Sequence, residues 1–165
     1  MRGCYPAMAQ SRILTVAELA GIGLVSGLAG SLFMALSQRA EMALTGREPS
    51  TIPADAIEAV SGVDVPEGEP KHQVSTAGHL AFGTSLGLGL VVLSPLPEPA
   101  RGLAFFAAAW TAGTTLITRL GLSDPPTRWD AKQLGIDLAH HAVYAATAAA
   151  TFVGLRRLAQ PLMRA

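Results

Sequence analysis

Apolar residues in this chain fall into four long blocks, approximately Val16–Ser37, Ala77–Leu96, Leu103–Leu122 and Ile136–Leu155. Each block is long enough for a helix to cross a hydrocarbon core of roughly 30 Å, which takes about 20 residues. Breakers or charges close all four: "QRAE" the first, "SPLPEP" the second, "SDPP" the third and "RR" the fourth. Period-2 alternation is absent. A backbone in lipid must satisfy its own hydrogen bonds, so these blocks predict helices and not a barrel.

Within the blocks, small residues recur at helical spacing. Gly23, Gly27, Ser31 and Ala35 stand four apart, and Gly83 and Gly87 do the same on the second block. Each helix then carries a groove of small residues on one face, and the first two helices are expected to touch there. The first block is also tested as a cleavable leader, because Arg2 and Arg12 precede it and "ALS" before Gln38 resembles a processing site. Its apolar core is longer than the about 7 to 15 residues of a leader's apolar region, which predicts a retained helix.

Composition agrees with a lipid-embedded chain. Of 165 residues 50% are hydrophobic and 15% charged, and the mean hydropathy is +0.37, too apolar for an ordinary soluble domain of this length. Aromatic residues are few, at 5%, beside abundant Ala, Gly and Leu, as in membrane helices whose backbones approach closely. Formal net charge is zero, giving no general pull towards nucleic acid. The single cysteine, Cys4, can form neither an internal disulfide nor a thiolate metal site.

The chain also matches itself. A shift of 62 residues lays His79, Phe82 and Gly83 on His141, Tyr144 and Ala145. A shift of 76 lays Glu48-Pro49-Ser50-Thr51 on Asp124-Pro125-Pro126-Thr127. Each half reads as helix, acidic-Pro-x-Thr, loop and a helix led by histidine, which predicts a duplication. Two spans per half return the chain to its starting side. The expected fold is therefore an all-α, four-transmembrane-helix bundle of two parallel helix-pair repeats, in one integral membrane domain with a polar loop over residues 40–76. Its symmetry axis would lie along the membrane normal, unlike that of inverted-repeat transporters.

That arrangement gathers His79, Arg119, Asp137, His140 and His141 near one rim of the bundle. On the fourth helix Asp137, His141 and Tyr144 share a stripe, so the carboxylate is expected to orient the His141 ring, while His140 points about a quarter turn away. Ser75 aligns with Asp137 under the 62-residue shift, leaving an orienting carboxylate in one half alone. Three readings stay open. The rim residues are hydrogen-bonded packing groups near helix ends; or His79 and His141 hold a metal or a haem between helices; or His79, Arg119, Asp137 and His141 line a proton or small-ligand path. No metal motif of the H-E-x-x-H kind or cysteine pair supports the second, and no sequence signature names a cofactor.

The polar loop carries seven acidic residues against Arg47 and Lys71. "PADAIEAV" predicts a short amphipathic helix from Pro53, with Asp55 and Glu58 near its positive end and Ala56, Ile57 and Val60 free to lie on the membrane or cap the bundle. Its carboxylates lack calcium-loop spacing. Basic residues divide six against six between the two sides, so the positive-inside count is silent. The "RR" after the fourth helix and the acid-rich loop point to cytoplasmic termini.

The order "SLFMALSQRAEM", "REPSTIP", "HLAFGTSLGLGL", "W...T" and "HHAVYA" resembles the YagU-like group of small bacterial inner-membrane proteins, whose spans carry Gly-rich faces and His-x-x-Tyr-Gly-like openings. The second copy here departs from the pattern with Ala145 in place of Gly. The resemblance implies a class and a location and no catalytic residues. With no nucleophile-base pair and no phosphate-cradling loop in the chain, the expected role is structural or interactive. Its expected partners are the lipid bilayer and either another membrane protein or a second copy, with no nucleic acid; metal, haem or proton handling at the histidine rim is the alternative.

Overall fold

The computed structural model describes residues 14–159; Cys4 and the outer arginines Arg2, Arg12 and Arg164 lie outside them. Among the described residues the fold is all-helical: α1 (Val16–Thr45), α2 (Ile52–Ser61), α3 (Glu69–Leu86), α4 (Leu88–Val92), α5 (Glu98–Arg119) and α6 (Ala131–Ala159), with a 3-10 turn at Pro126–Arg128. Three stretches are long and apolar enough to cross a membrane: α1, α3 together with α4, and α6. The expected fourth, α5, is not among them. Its 22 residues would span about 33 Å, but Arg101 and the threonines of its second half dilute its apolar character.

Several helix ends fall outside the apolar blocks, while α4 stops at Val92 and α5 at Arg119, inside theirs. α1 continues to Thr45, α3 begins at Glu69, α5 covers Glu98–Arg119 and α6 covers Ala131–Ala159, so the expected polar loop of residues 40–76 shrinks from both sides. Hydropathy marks where lipid can surround a helix. Caps mark where the hydrogen-bond ladder stops, and on both sides of the polar loop they lie farther out. Thr15 and Glu18 form a reciprocal capping box on α1, with Glu18 N donating to Thr15 Oγ1 at 3.2 Å and Thr15 N to Glu18 Oε2 at 2.9 Å. Gly46, at φ 71°, closes the same helix by donating to Met42 O. Asp130 opens α6 by accepting from Gln133 N at 2.7 Å.

The helices pack in the order α3, α1, α6, α5. α1 lies against α3, α4 and α6, and α5 rests on α6 and touches α4. A faithful two-fold repeat would copy the α1–α6 interface between α5 and α3. No comparable interface joins those two helices. The acidic-Pro-x-Thr motif leads into a short helical piece in both halves, α2 after Thr51 and the 3-10 turn that takes in Pro126 and Thr127.

α1 and α3 meet through their small residues. A Cβ on Gly27 would stand 2.6 Å from the carbonyl oxygens of Gly83 and Thr84, one on Gly23 would stand 2.9 Å from Gly87 O, and one on Gly83 or Gly87 would strike Ser31 Oγ or Gly23 O. Such backbone-on-backbone contact is available only to residues without side-chain bulk. At the same level the helical ladder tightens, Gly87 N reaching Thr84 O at 3.1 Å and Leu90 N reaching Gly87 O at 3.1 Å, which separates α4 from α3.

α2 caps this rim. Ile57 sits against Gly78 of α3, Ala54 is fully buried, and Val60 stays exposed. Asp55 and Glu58 face a cation and not only their own helix dipole: buried Lys71 of α3 lies 2.9 Å from Asp55, 3.3 Å from Glu58 and 2.7 Å from Glu67. Ser75 Oγ adds a bond to Ser50 O at 2.8 Å. At the opposite rim Arg101 is buried, donates to Leu96 O at 2.8 Å and sits 5.9 Å from the centre of the Phe152 ring.

Candidate functional site

Register along α1 fixes where the histidines lie. Gly27 and Ser31 face Gly83 on α3, and Ser37 faces His140 on α6 while Gly30 faces Tyr144. Counting along these antiparallel pairs brings His79 and His141 level with Ala35 and Leu36 of α1. That is about one helical turn, ~6 Å, inside Arg39.

Asp137 and His141 form the organised part of the site. His141 Nδ1 lies 2.9 Å from Asp137 O and 3.3 Å from Asp137 Oδ2. The Trp110 indole N–H of α5 donates to the same Oδ2 at 2.7 Å. The carboxylate is thus held by an indole, and it orients the imidazole in turn. With Nδ1 engaged, His141 presents Nε2 to Gly113 of α5, 3.8 Å from where a Cβ on that glycine would stand; Phe82 of α3 closes on the same point at 4.0 Å.

His79 approaches from α3 and faces the same cavity as His141. Its Nε2 is buried and meets no hydrogen-bond partner among the described residues. Such a nitrogen costs free energy unless something satisfies it. His79, Asp137 and His141 together line a cavity of roughly 1200 Å³ whose other walls are mainly apolar, among them Met34, Leu86, Ala109 and Leu116.

The remaining rim residues stand apart. His140 faces α1, where Ser37 Oγ lies 2.7 Å from its Nδ1 and Glu41 lies 4.0 Å from its Nε2. Arg119 is exposed and makes no hydrogen bond or ion pair among the described residues. Among the described residues no group of three or more His, Cys, Asp or Glu side chains is placed to hold a metal ion. Sequence reasoning missed two contacts. Trp110 had a signal, since it is the one indole inside an apolar block, but nothing in its own helix indicated Asp137. Tyr144 donates to Gly83 O at 2.6 Å, a pairing across 61 residues with no local trace.

These features define the class: among the described residues, an all-helical fold with three helices long and apolar enough to cross a membrane and a cavity lined by His79 and His141. No family model, no curated protein and no solved structure matches it.

Proposed function

We propose that the chain is a small multi-pass integral membrane protein of a bacterial inner membrane, acting as a structural or interaction component. In this reading α1, α3 with α4, α5 and α6 all cross, as two parallel helix-pair repeats with cytoplasmic termini. The distribution of side chains on α1 carries the proposal. Ser26 and Ser31 are 0% exposed, whereas Val25, Phe33 and Leu36 are 53%, 54% and 56% exposed. In water each half-exposed side chain of that size forgoes on the order of 1 kcal/mol of burial. In lipid the arrangement costs nothing, because association there rests on small and hydrogen-bonding residues.

The length of α5 and its packing on α6 support a fourth crossing, and the shared level of His79 and His141 supports the duplication. The likeness to the YagU-like group agrees on class. A second reading, ligand or proton handling at the rim, is favoured by one observation: His79, Asp137 and His141 line the same cavity.

Single cysteines at positions 61, 94 and 123, in a Cys4→Ser background, test the crossings. An impermeant thiol reagent applied to intact cells is expected to label 61 and 123 and to spare 94 until the membrane is opened. Labelling 94 and 123 from the same side removes α5 as a crossing. Release of the protein by alkaline carbonate removes the membrane reading altogether.

A further inference from the structure

The space between α3 and α5 is the part of the molecule that the packing leaves unexplained. α3 is held by α1 and α2, and α5 by α6 and α4, with no comparable interface between them. Phe82 and His79 on α3, Gly113 on α5 and His141 on α6 converge there. A gap flanked by two helices of a membrane bundle opens sideways into the bilayer, so an occupant can enter from the lipid phase.

Chemistry narrows the occupant. Two imidazole nitrogens are available here within mainly apolar walls: His79 Nε2, buried without a partner, and His141 Nε2, presented by the Asp137–Trp110 support; His72, whose Nδ1 is likewise buried without a partner, lines the same cavity two turns nearer the start of α3. The cationic side chains lining the cavity are Arg39 and Arg47. Both lie towards the rim, and Arg47 is engaged by Glu41 at 2.7 Å. Of the two carboxylates among the described residues that line the cavity, Glu69 stands at the start of α3 and Asp137, at the level of the imidazoles, is already held by its neighbours. An anionic head group would therefore be brought into an apolar space beside a carboxylate with no free cation at its level. A neutral oxygen can instead accept from an imidazole N–H while the rest of its molecule lies against apolar side chains, which is how ligand cavities of this size combine affinity and orientation.

We propose that the cleft between α3 and α5 is a binding site for a neutral amphiphile, in which a carbonyl-bearing head group hydrogen-bonds to His79 and His141 and its hydrocarbon tail runs out between the two helices. The proposal rests on the membrane reading only for the route of entry. Occupancy itself is measured on purified protein in detergent, so loss of one reading is separable from loss of the other.

The probe is 2-decyl-1,4-benzoquinone, whose ring carbonyls accept hydrogen bonds and whose ring quenches indole fluorescence. Trp129→Phe leaves Trp110, beside Asp137, as the sole reporter. The expected result is saturable quenching that decanoate at pH 8 does not displace. His79→Leu is expected to weaken binding by about tenfold, the loss of one net hydrogen bond, with His79→Gln retaining most of the affinity. Gly113→Leu guards against variants that merely unfold: it leaves both imidazoles in place and fills the space at His141 Nε2, where a first carbon makes only ordinary contacts. It is expected to abolish saturable quenching. Quenching that rises linearly with probe, that is unchanged in Gly113→Leu, or that decanoate suppresses as well as the quinone itself binds would overturn the proposal.

Discussion

Tyr144 of α6 donates its phenol proton to the carbonyl oxygen of Gly83 on α3 at 2.6 Å, in the interior where Phe105 lies 5.5 Å from the same ring. Gly83 O is free to accept because the ladder tightens at Gly87, whose N–H is shared between Gly83 O at 3.3 Å and Thr84 O at 3.1 Å. Tyr144→Phe keeps the ring and its packing and removes the bond. The expected loss is about 1 kcal/mol, read from unfolding of the purified protein in mixed micelles. A variant as stable as the parent would mean that water or lipid already competes for that carbonyl.

Close approach of α1 and α3 makes a sharper forecast. Gly87→Val drives its first carbon into Gly23 O, and the helices must separate or the variant must strain. Overpacking of this kind costs about 1–3 kcal/mol. Gly102→Ala, on α5 with open space around it, is the control. It is expected to leave stability unchanged or raise it by about 0.5–1 kcal/mol. Comparable destabilisation by both variants would show that glycine content, and not this contact, is what matters.

Asp137 and Trp110 provide a test that separates charge from hydrogen bonding. Asp137→Leu leaves the Trp110 N–H without its acceptor and releases the His141 ring, for an expected loss of about 1–3 kcal/mol. Asp137→Asn retains an oxygen that can accept from the indole and is expected to recover most of that loss. Thermal unfolding of the two variants ranks them, and Asn performing no better than Leu would assign the effect to the carboxylate charge.

Lys71 anchors α2, since Asp55, Glu58 and Glu67 all converge on its ammonium. Lys71→Met is expected to raise amide exchange across residues 52–61, with exchange in α1 and α6 unchanged. Local opening of a short capping helix is the event such exchange reports. Equal protection in both proteins would mean that Ile57 and Ala54 alone hold the cap.

The sequence disclosed elements better than their ends. Four apolar blocks predicted helices in the right places because hydrophobic length is a property of local composition. Their limits were misjudged by up to eight residues at Glu69, where "EPKHQVST" is polar yet helical. The four-residue spacing of Gly23, Gly27, Gly83 and Gly87 indicated a contact because a groove of small residues is visible on one helix alone. Asp137–His141 was legible for the same reason, being a single turn of α6. What stayed hidden depends on two distant helices at once: Trp110 on Asp137, Tyr144 on Gly83, Lys71 among three acids, and His140 turned to Ser37. Arg119 differs from these, being exposed at the end of α5 with no hydrogen bond or ion pair among the described residues. Position along a helix does not determine which way a side chain faces.

The glycine-on-glycine seam between α1 and α3 has a consequence for how such a sequence can drift over time. Positions 23, 27 and 87 admit no larger side chain without moving a backbone, and position 83 none without moving the Ser31 side chain, whereas Val25, Phe33 and Leu36 a few residues away have large exposed surfaces and can exchange among apolar types freely. Selection on this chain should therefore be strictest at its smallest residues and most permissive at its greasiest, the reverse of what the core of a water-soluble protein imposes.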